Sequence, residues 1–309
     1  MTTSSETEID PAVTRAAPEM RLVCLGLGYS ARALVELLDT RKVDVTGTTR
    51  SPEKADTLHR RGIRTIVFDG KQPSAALSDA IRTATHIVVS AAPTSEGDAF
   101  LWHHERDIVH ADGLKWIGYL SSVGVYGDHD GAVVDERSVC RPASERSMWR
   151  LAAETAWTAC GHRTGVPVSL LRLGGIYGPG RNQLKQLADG KARRIIKPGQ
   201  VFNRIHVDDI AQTVERAMER PAARIYNVVD NKPSPPQEVI EFAAELMGVE
   251  PPPAVPFEEA DLTPMARTFY GEVKQVSNRR LHDELGIHLL YPTYREGLRA
   301  LWESDRWRG

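Results

Sequence analysis

Six consecutive residues near the start of the sequence, Gly26-Leu27-Gly28-Tyr29-Ser30-Ala31, have the types and spacing of a turn that binds a pyrophosphate. Gly26 permits the sharp turn, Gly28 lets the backbone approach the phosphates, and Ala31 is small enough for a helix to pack closely on a strand. A strand-like run precedes the turn and a helix-like run follows it, so free N–H groups would face the ligand. An ordinary strand-to-helix turn also uses glycine, but this context favours a dinucleotide, with Tyr29 and Ser30 completing the contact.

The end of the next strand-like run indicates which dinucleotide is bound. A site for NAD usually has an acidic side chain here for the ribose 2'-hydroxyl, whereas this chain reads Thr49-Arg50-Ser51. The planar fork of Arg50 can pair with a 2'-phosphate, and the hydroxyls of Thr49 and Ser51 can assist. NADP(H) is therefore predicted in preference to NAD, the alternative being that Arg50 is only solvated.

Two further strand ends contain residues suited to the same ligand. Asp69 could accept a hydrogen bond from an adenine amino group, although the pair Asp69-Gly70 is equally typical of a turn. The small residues Ala91, Ala92 and Pro93 would let a cofactor lie close to the backbone, with simple packing as the alternative.

A parallel sheet is needed to bring these residues together, and the pattern of the chain predicts one. From Arg21 onward, short β-branched and apolar runs alternate with longer amphipathic stretches, which is typical of βαβ units. The predicted strands are 21–25, 43–48, 65–68, 86–90, 116–120 and 168–172, and the long predicted helices are 29–38, 98–111 and 144–160. The fold class is α/β: a Rossmann-type doubly wound parallel sheet with a small, interleaved C-terminal substrate lobe.

The sequence changes in character at both ends of this pattern. Residues 1–19 are rich in Thr, Ser, Glu, Ala and Pro without hydrophobic periodicity, which predicts a disordered tail. After Arg172, Gly- and Pro-rich breaks recur, which indicates a smaller, irregular lobe. We predict a dinucleotide-binding domain over 20–175 and a substrate lobe over 176–309, with about 200–230 returning to the main sheet through the strand-like run 224–229.

The composition limits the classes of partner. The 309 residues include 39 basic and 41 acidic side chains, a formal net charge of -2, so no overall field would attract nucleic acid or an anionic membrane. No run reaches the roughly 20 apolar residues of a membrane span, and no basic start with an apolar run indicates export. Cys24, Cys140 and Cys160 have unpatterned spacings, which favours the reducing cytoplasm over a disulfide framework or CxxC metal site. Small molecules are the expected partners.

Four motifs further along the chain are recognisable in this order: Leu120-Ser121-Ser122-Val123-Gly124-Val125-Tyr126-Gly127, then Gly174-Gly175-Ile176-Tyr177-Gly178-Pro179-Gly180, then Arg204-Ile205-His206-Val207-Asp208-Asp209, then Tyr226-Asn227-Val228. With the glycine turn, the chain resembles the short-chain dehydrogenase/reductase superfamily. More narrowly, it is similar to the extended and atypical branch that includes NAD-dependent epimerases and dehydratases.

The resemblance implies roles for three positions. A Ser or Thr four residues before the Tyr of the Val-Tyr-Gly motif polarises the substrate carbonyl in that family, and here this residue is Ser122. The family's catalytic Tyr, and the Lys one helical turn later that holds the nicotinamide ribose, align with Arg146 and Arg150. Arginine cannot cycle a proton near neutral pH, so Arg146 is expected to bind an anion and Arg150 to hold the ribose. Tyr126, Tyr177 and, less favoured, His129 are candidate substitutes for the proton donor, with packing as the alternative for Tyr126.

The resemblance also bears on the substrate. Gly175 and Phe202 replace the Asn and Arg with which family members often bind nucleotide sugars, so a nucleotide sugar is disfavoured. Arg181, Tyr177 and a basic stretch that includes Lys185, Lys191, Arg193, Arg194 and Lys197 could serve a negatively charged substrate, or the stretch could be a solvated helix face. His206, Asp208 and Asp209 resemble a metal set, but in the family this segment starts a helix that the Asp side chains can cap. No metal site is predicted.

These observations favour one function and leave another open. The favoured hypothesis is an atypical NADP(H)-dependent oxidoreductase, or epimerase-like protein, that transfers a hydride at a carbonyl or hydroxyl carbon without the usual catalytic Tyr. The alternative is a non-catalytic NADP(H)-binding sensor. An epimerase with tightly held NAD is weakened by Arg50, Gly175 and Phe202. Homodimerisation through the helices 98–111 and 144–160 is an expectation from the resemblance alone.

Overall fold

The computed structural model describes residues 20–38 and 42–309 of the chain. The segment 1–19, for which the sequence predicts a disordered tail, lies outside the described residues. Within the described residues, no helix combines the length and apolar character that a membrane span requires.

A seven-stranded parallel sheet forms the centre of the fold, in the strand order β3-β2-β1-β4-β5-β7-β11. Its strands are β1 (Met20–Leu25), β2 (Val43–Thr49), β3 (Arg64–Val67), β4 (His86–Val89), β5 (Trp116–Ser122), β7 (Val168–Leu173) and β11 (Ile225–Val228). Every strand end agrees with the sequence prediction to within two residues. The predicted α/β class is thereby confirmed.

Helices cover both faces of this sheet. The helices between and after its strands are α1 (Tyr29–Leu37), α2 (Pro52–Arg60), α3 (Ala75–Thr83), α4 (Ala99–Val109), α5 (Glu145–Thr164) and α7 (Val207–Glu219). Alternate residues of β1 enter different cores: Leu22 and Cys24 belong to a cluster that includes α1 and α7, while Val23 and Leu25 belong to one that includes α3, α4 and α5. Successive strand side chains point to opposite faces, so this split explains why the strands are apolar throughout.

The remaining elements are short and belong mainly to the C-terminal part. Three two-stranded parallel pairs join β6 (Val133–Val134) to β13 (Gln275–Val276), β8 (Gly175–Tyr177) to β10 (Arg204–His206), and β9 (Arg194–Ile196) to β12 (Ala254–Pro256). The helices here are α6 (Gln183–Ala188), α8 (Pro236–Met247), α9 (Pro264–Tyr270), α10 (Arg279–Asp283) and α11 (Tyr294–Glu303), with 3-10 turns at Val123–Tyr126, Phe257–Glu259 and Arg306–Arg308. A separate apolar core joins α6, α8 and α11 around Tyr177 and Trp307.

The chain returns from this lobe to the main sheet. The strand-like run 224–229 is β11, which pairs in parallel with β7 at the sheet edge, and α7 before it packs against α1. The sequence between 200 and 230 therefore contributes to the main sheet and its helical layer, although it follows lobe residues in the sequence.

Candidate functional site

A cleft of about 710 Å³ opens where β1, β2, β3 and β4 end. In an open parallel sheet, ligands bind at the carboxyl ends of the strands, beside the point where the strand order reverses, which here lies between β1 and β4. The cleft is lined by residues from the glycine turn, the four strand ends, the start of α4 and the first turns of α5: Gly26, Leu27, Gly28, Thr48, Thr49, Arg50, Lys54, Phe68, Asp69, Gly70, Ser90, Ala91, Ala92, Pro93, Thr94, Ser95, Gly97, Asp98, Ala99, Phe100, Arg146, Trp149 and Arg150.

The two glycines of the turn differ in what surrounds them and in their backbone conformation. Gly26 has a φ of +89°, and a Cβ there would lie 2.8 Å from the backbone nitrogen of Ala91, so the protein itself requires glycine. Gly28 has an ordinary φ of -84°, and the nearest atom to a Cβ would be Ser90 Oγ at 3.7 Å. No protein contact therefore demands glycine at position 28, and the space left by its missing side chain belongs to the cleft.

The helix that follows the turn is open at its beginning. No side chain caps α1, whose N-cap residue is Gly28, so its first N–H groups have no side-chain acceptor. Ser30 and Ala31 are buried, which fits the close packing expected of Ala31. Tyr29 is partly exposed, and its hydroxyl donates to the Pro179 carbonyl at 2.9 Å. None of these three side chains lines the cleft, so the contact predicted for them can come only from the backbone N–H groups at the start of α1.

Two cationic side chains lie where β2 ends. Arg50 and Lys54 both line the cleft and are exposed, and neither has a carboxylate partner within the described residues. Thr49 lies beside them in the lining. Lys54 was not predicted from the sequence, although its place four residues after Arg50, on a helix that starts at Pro52, could have indicated it.

Ser51 does not share this role. Its hydroxyl oxygen accepts from the Lys54 backbone nitrogen at 3.2 Å, capping α2, and the hydroxyl donates to Glu53 at 2.5 Å. Ser51 does not line the cleft. The hydroxyl of Ser51, predicted to contact the cofactor, is thus engaged in capping α2 and with Glu53.

Further lining residues follow β3 and β4 and begin α4. Ala91, Ala92 and Pro93 follow β4 and line it, as does Asp69, whose carboxylate accepts from the Lys71 backbone nitrogen at 3.0 Å. Asp98, which sequence analysis used only as a helix boundary, caps α4 and accepts from the indole nitrogen of Trp157 at 2.9 Å. Burial raises the pKa of Asp98 against the opposing effect of these hydrogen bonds and of Arg150.

The far end of the cleft is formed by α5. Arg150 donates to the Leu120 carbonyl at 2.9 Å and to the Tyr119 hydroxyl at 3.2 Å, so its guanidinium is fixed where β5 ends. Arg146, one helical turn earlier, is exposed, and its guanidinium donates to Met265 Sδ of α9 at 3.2 Å. Trp149 also lines this end and was not foreseen from the sequence.

Ser122 lies next to this end, at the last position of β5, but is not among the cleft-lining residues. Its Oγ accepts from the Gly124 backbone nitrogen at 3.1 Å, which leaves its hydroxyl proton free to be donated. A Cβ on Gly124 would lie 3.3 Å from Ser122 Oγ and 3.0 Å from Ser147 Oγ, so the glycine lies between two hydroxyls. Ser147 is thus a further hydroxyl that sequence analysis missed.

Tyr126 is not placed to donate a proton in the cleft. It is fully buried, its hydroxyl donates to Asn227 Oδ1 at 2.7 Å, and the Arg172 guanidinium lies 4.8 Å from its ring centre. Burial raises the pKa of Tyr126 to about 12, which opposes proton release to a base near neutral pH. The structure corrects the catalytic expectation, because Tyr126 is part of the core beneath the strand ends.

Tyr177, Arg181 and His129 are also away from the cleft lining. Tyr177 is buried, with its hydroxyl near the Thr293 carbonyl at 3.4 Å and a pKa raised well above the usual value by burial. The exposed Arg181 lies 6.0 Å from the ring centre of Tyr29, and His129 Nε2 lies 3.1 Å from the Tyr126 carbonyl oxygen. The structure does not unite these residues with Ser122 and Arg150.

The His206 segment begins a helix, as the resemblance implies, but with a different cap. The Asp208 backbone nitrogen donates to His206 Nδ1 at 3.1 Å, so the histidine caps α7 in place of an aspartate. Burial lowers the pKa of His206 to about 3. Asp209 accepts from the backbone nitrogens of Leu290 and Tyr291, tying α7 to the C-terminal chain.

Over 20–38 and 42–309, no group of three or more His, Cys, Asp or Glu side chains could hold a metal ion.

Fold and cleft together define a Rossmann-type dinucleotide-binding protein. Gly28 leaves open space, α1 offers unsatisfied N–H groups, and the strand ends supply small residues, so the cleft fits a nicotinamide dinucleotide along its length. A sequence model of the NAD dependent epimerase/dehydratase family matches residues 23–229, and the chain belongs to that family.

Three known proteins are similar to this chain over most of its length. Protein YeeZ of Escherichia coli K12 is 26% identical over 283 residues, which are 88% of this chain and 96% of YeeZ. A functionally unknown conserved protein from Silicibacter pomeroyi has a solved structure that is 45% identical, with a TM-score of 0.84 over 93% of this chain and 99% of that one. UDP-glucose 4-epimerase of Thermus thermophilus, solved with NAD, is 21% identical, with a TM-score of 0.71 over 94% and 99%, a likeness of fold.

Proposed function

We propose that the protein is an NADP(H)-dependent oxidoreductase that transfers a hydride at a carbonyl or hydroxyl carbon of a small molecule. The observation that carries this proposal is the continuous cleft, which extends from Arg50 and Lys54 past Gly28 to Arg150. Along this path a dinucleotide would meet cations at its 2'-phosphate, free N–H groups at its pyrophosphate and a fixed guanidinium at its nicotinamide ribose.

The preference for NADP(H) over NAD(H) rests on the end of β2. Arg50 and Lys54 are both exposed at the cleft, and the cleft lining at this end contains no carboxylate from β2 or α2 for a ribose 2'-hydroxyl. A guanidinium pairs well with a phosphate through two parallel hydrogen bonds, and an ammonium adds charge. The 2'-phosphate therefore gains two partners, while the 2'-hydroxyl of NAD(H) gains neither a carboxylate nor an ion pair.

The residues at the α5 end would hold the nicotinamide ribose and contact the substrate oxygen. The bound nicotinamide supplies or accepts the hydride. Ser122 has a hydroxyl proton available for the substrate oxygen, and Arg150 holds the ribose from its fixed position on the Leu120 carbonyl. The lining contains no tyrosine in the described part of the chain. We therefore assign water as the source of the proton that reaches the substrate oxygen. A carbonyl that receives the hydride on carbon and this proton on oxygen becomes an alcohol.

Calorimetric titration with NADPH and NADH tests the cofactor. We expect wild-type protein to bind NADPH about tenfold or more tightly than NADH, since one charge-assisted pair contributes roughly 1.5–3 kcal/mol. Arg50→Ala should remove most of this preference, whereas the exposed control Arg61→Ala, outside the cleft, should keep it. Equal affinities in wild type, or an unchanged preference in Arg50→Ala, would disprove the NADP(H) assignment.

A non-catalytic NADP(H) sensor is the second candidate. It is favoured by the position of Tyr126, whose hydroxyl is held by Asn227 in the core, which leaves the cleft without a phenolic acid. Loss of NADPH absorbance with any member of a broad carbonyl panel would establish the oxidoreductase. Tight NADPH binding, no turnover across the panel and a partner captured only with cofactor present would establish the sensor.

A further inference from the structure

Two arginines share one face of α5 at the end of the cleft opposite Arg50. Arg146 and Arg150 are one helical turn apart, and both line the cleft. Like charges at this spacing repel each other and destabilise a helix unless a counter-charge is present. Within the described residues neither guanidinium forms an ion pair; the Asp98 carboxylate in the same lining is near enough to Arg150 for the arginine to oppose the rise of its pKa, whereas no carboxylate is recorded beside Arg146.

The two guanidinium groups differ in how far they are already engaged. Arg150 is held by the Leu120 carbonyl and the Tyr119 hydroxyl. Arg146 donates to Met265 Sδ, and a thioether sulfur is a weak acceptor. Arginine has five N–H donors in a fixed fork, so most of those on Arg146 remain available to a ligand.

The cofactor does not account for the charge of Arg146. Its 2'-phosphate is assigned to Arg50 and Lys54, and its pyrophosphate to the start of α1. Its ribose is assigned to Arg150. Arg146 is thus a cleft-lining cation to which no part of the cofactor is assigned, and it is available to the substrate.

The surroundings of Arg146 are apolar. Trp149 lines the cleft beside it, and Met265 touches it from α9. Met265 and Phe269 are one turn apart on α9 and so share a face, and they are 48% and 62% exposed. Of these apolar side chains Trp149 lines the cleft, and Met265 and Phe269 reach its neighbourhood only through the contact of Met265 with Arg146; an apolar surface beside a charged group favours a ligand with an apolar body.

We propose that the substrate is a small carboxylate with an apolar body, whose carboxylate pairs with Arg146 while its body lies against Trp149 and Met265. This proposal rests on the proposed function, because it places the substrate at the nicotinamide end of the same cleft. It makes Arg146 a specificity-determining residue, at the position where the family has its catalytic tyrosine.

Matched acids and amides test the proposal by calorimetry on NADP⁺-saturated protein and on cofactor-free protein. The probes are benzoate, phenylacetate and cinnamate, each with its neutral amide, and acetate as the acid without an apolar body. We expect at least one aromatic acid to bind about tenfold or more tightly than its amide and than acetate. Arg146→Gln should abolish the difference between acid and amide, whereas the exposed control Arg137→Gln, outside the cleft, should retain it.

The outcomes separate this proposal from the assignment of the cofactor. Unchanged NADPH affinity in Arg146→Gln, with loss of acid binding, supports the role of Arg146 and shows that the variant is folded. Equal binding of acids and amides, retention of acid preference in Arg146→Gln, or no binding of any acid would overturn it. Failure of NADPH to bind wild type would overturn the proposed function instead, and this is measured in a separate titration.

Discussion

The two glycines of the phosphate-binding turn illustrate how one residue type can serve two purposes. Gly26 has a left-handed backbone and lies against Ala91, so its replacement would disturb the turn itself. Gly28 has an ordinary backbone conformation and no close protein neighbour, so its replacement would fill only the cleft. The two positions belong to one motif in the sequence, but contacts within the protein require glycine only at the first.

Gly28→Ser should separate stability from binding. Serine is a good N-cap residue for α1, which has no side-chain cap, so we expect an unchanged or slightly higher free energy of unfolding. NADPH affinity should fall at least about tenfold, or roughly 1.4 kcal/mol, because the new side chain occupies the path of the pyrophosphate. Gly26→Ala should instead destabilise the fold by about 1–3 kcal/mol through its strained backbone. Urea unfolding and calorimetry measure both, and equal stability losses in the two variants would contradict the distinction.

Site residues that directly follow a strand were predicted well from the sequence. Residues whose side chains bond to distant elements were predicted less well. Gly28, Arg50 and Ala91 follow directly from the βαβ pattern and all reach the cleft. Tyr126 has a motif position that suggests chemistry, but its partner Asn227 is 101 residues away, so its burial follows only from the tertiary fold. For Ser51 the sequence leaves two roles open, because a hydroxyl that begins a helix can cap that helix or bind a ligand, and in the structure it caps α2.

At the scale of elements, α5 carries both cleft arginines and is fixed to the sheet behind them. Glu154, two turns beyond Arg146, is buried and accepts from Arg172 Nε at 3.0 Å and Nη2 at 2.7 Å, and from Ser121 Oγ at 2.5 Å. Its carboxylate thereby links α5 to β7 and β5 at once. The position of Arg150 relative to the strand end depends on this link.

Removing the charge of Glu154 should therefore be costly. Glu154→Gln leaves the buried Arg172 without a counter-charge, and breaking such a pair costs about 3–5 kcal/mol. The exposed Glu145→Gln, in the first turn of the same helix, should change the free energy of unfolding by no more than about 0.5 kcal/mol. Urea denaturation followed by circular dichroism compares the two. Matching midpoints would show that the Glu154–Arg172 pair does not anchor α5.

The elements of the main sheet could be predicted because buried apolar runs of four to seven residues alternate with amphipathic helical stretches, whereas the short strands of the lobe could not. β6 and β13 have two residues each, and their pairing joins Val133 to Gln275. No periodicity is readable in two residues, and the partner is chosen by the fold of the whole chain. The prediction of a small irregular lobe was the most that the Gly- and Pro-rich sequence allowed.

At the scale of the whole molecule, the end of β11 joins the main sheet to the C-terminal lobe. The backbone nitrogen of Asp230 donates to the Arg204 carbonyl at 2.6 Å, and that of Asn231 donates to the Pro292 carbonyl at 2.8 Å. The Asp230 side chain is buried with them; its Oδ1 accepts from the Lys232 backbone nitrogen, and its Oδ2 has no partner within the described residues. A carboxyl group in this position makes the junction sensitive to pH.

Burial raises the pKa of Asp230 to about 7, against the opposing effects of the Lys232 N–H and of Arg204. An unfolded aspartate has a pKa of about 3.9, so between about pH 4 and 7 the folded chain keeps a proton that the unfolded chain has lost. Asp230 therefore contributes stability at low pH that decreases as the pH rises, by at most about 1.4 kcal/mol per pH unit, until the slope vanishes above the folded pKa.

Asp230→Asn lacks this titration, and Asn can keep the hydrogen bond from the Lys232 backbone nitrogen. We expect the free energy of unfolding of the variant, minus that of wild type, to increase from pH 5 to pH 7 and to level off near pH 8. Urea unfolding at each pH unit measures this difference, with the exposed Asp56→Asn as the matched control. A difference that is constant with pH, or that decreases, would show that the junction does not hold Asp230 protonated. The lobe would then be joined to the sheet with Asp230 ionised and Arg204 as its counter-charge.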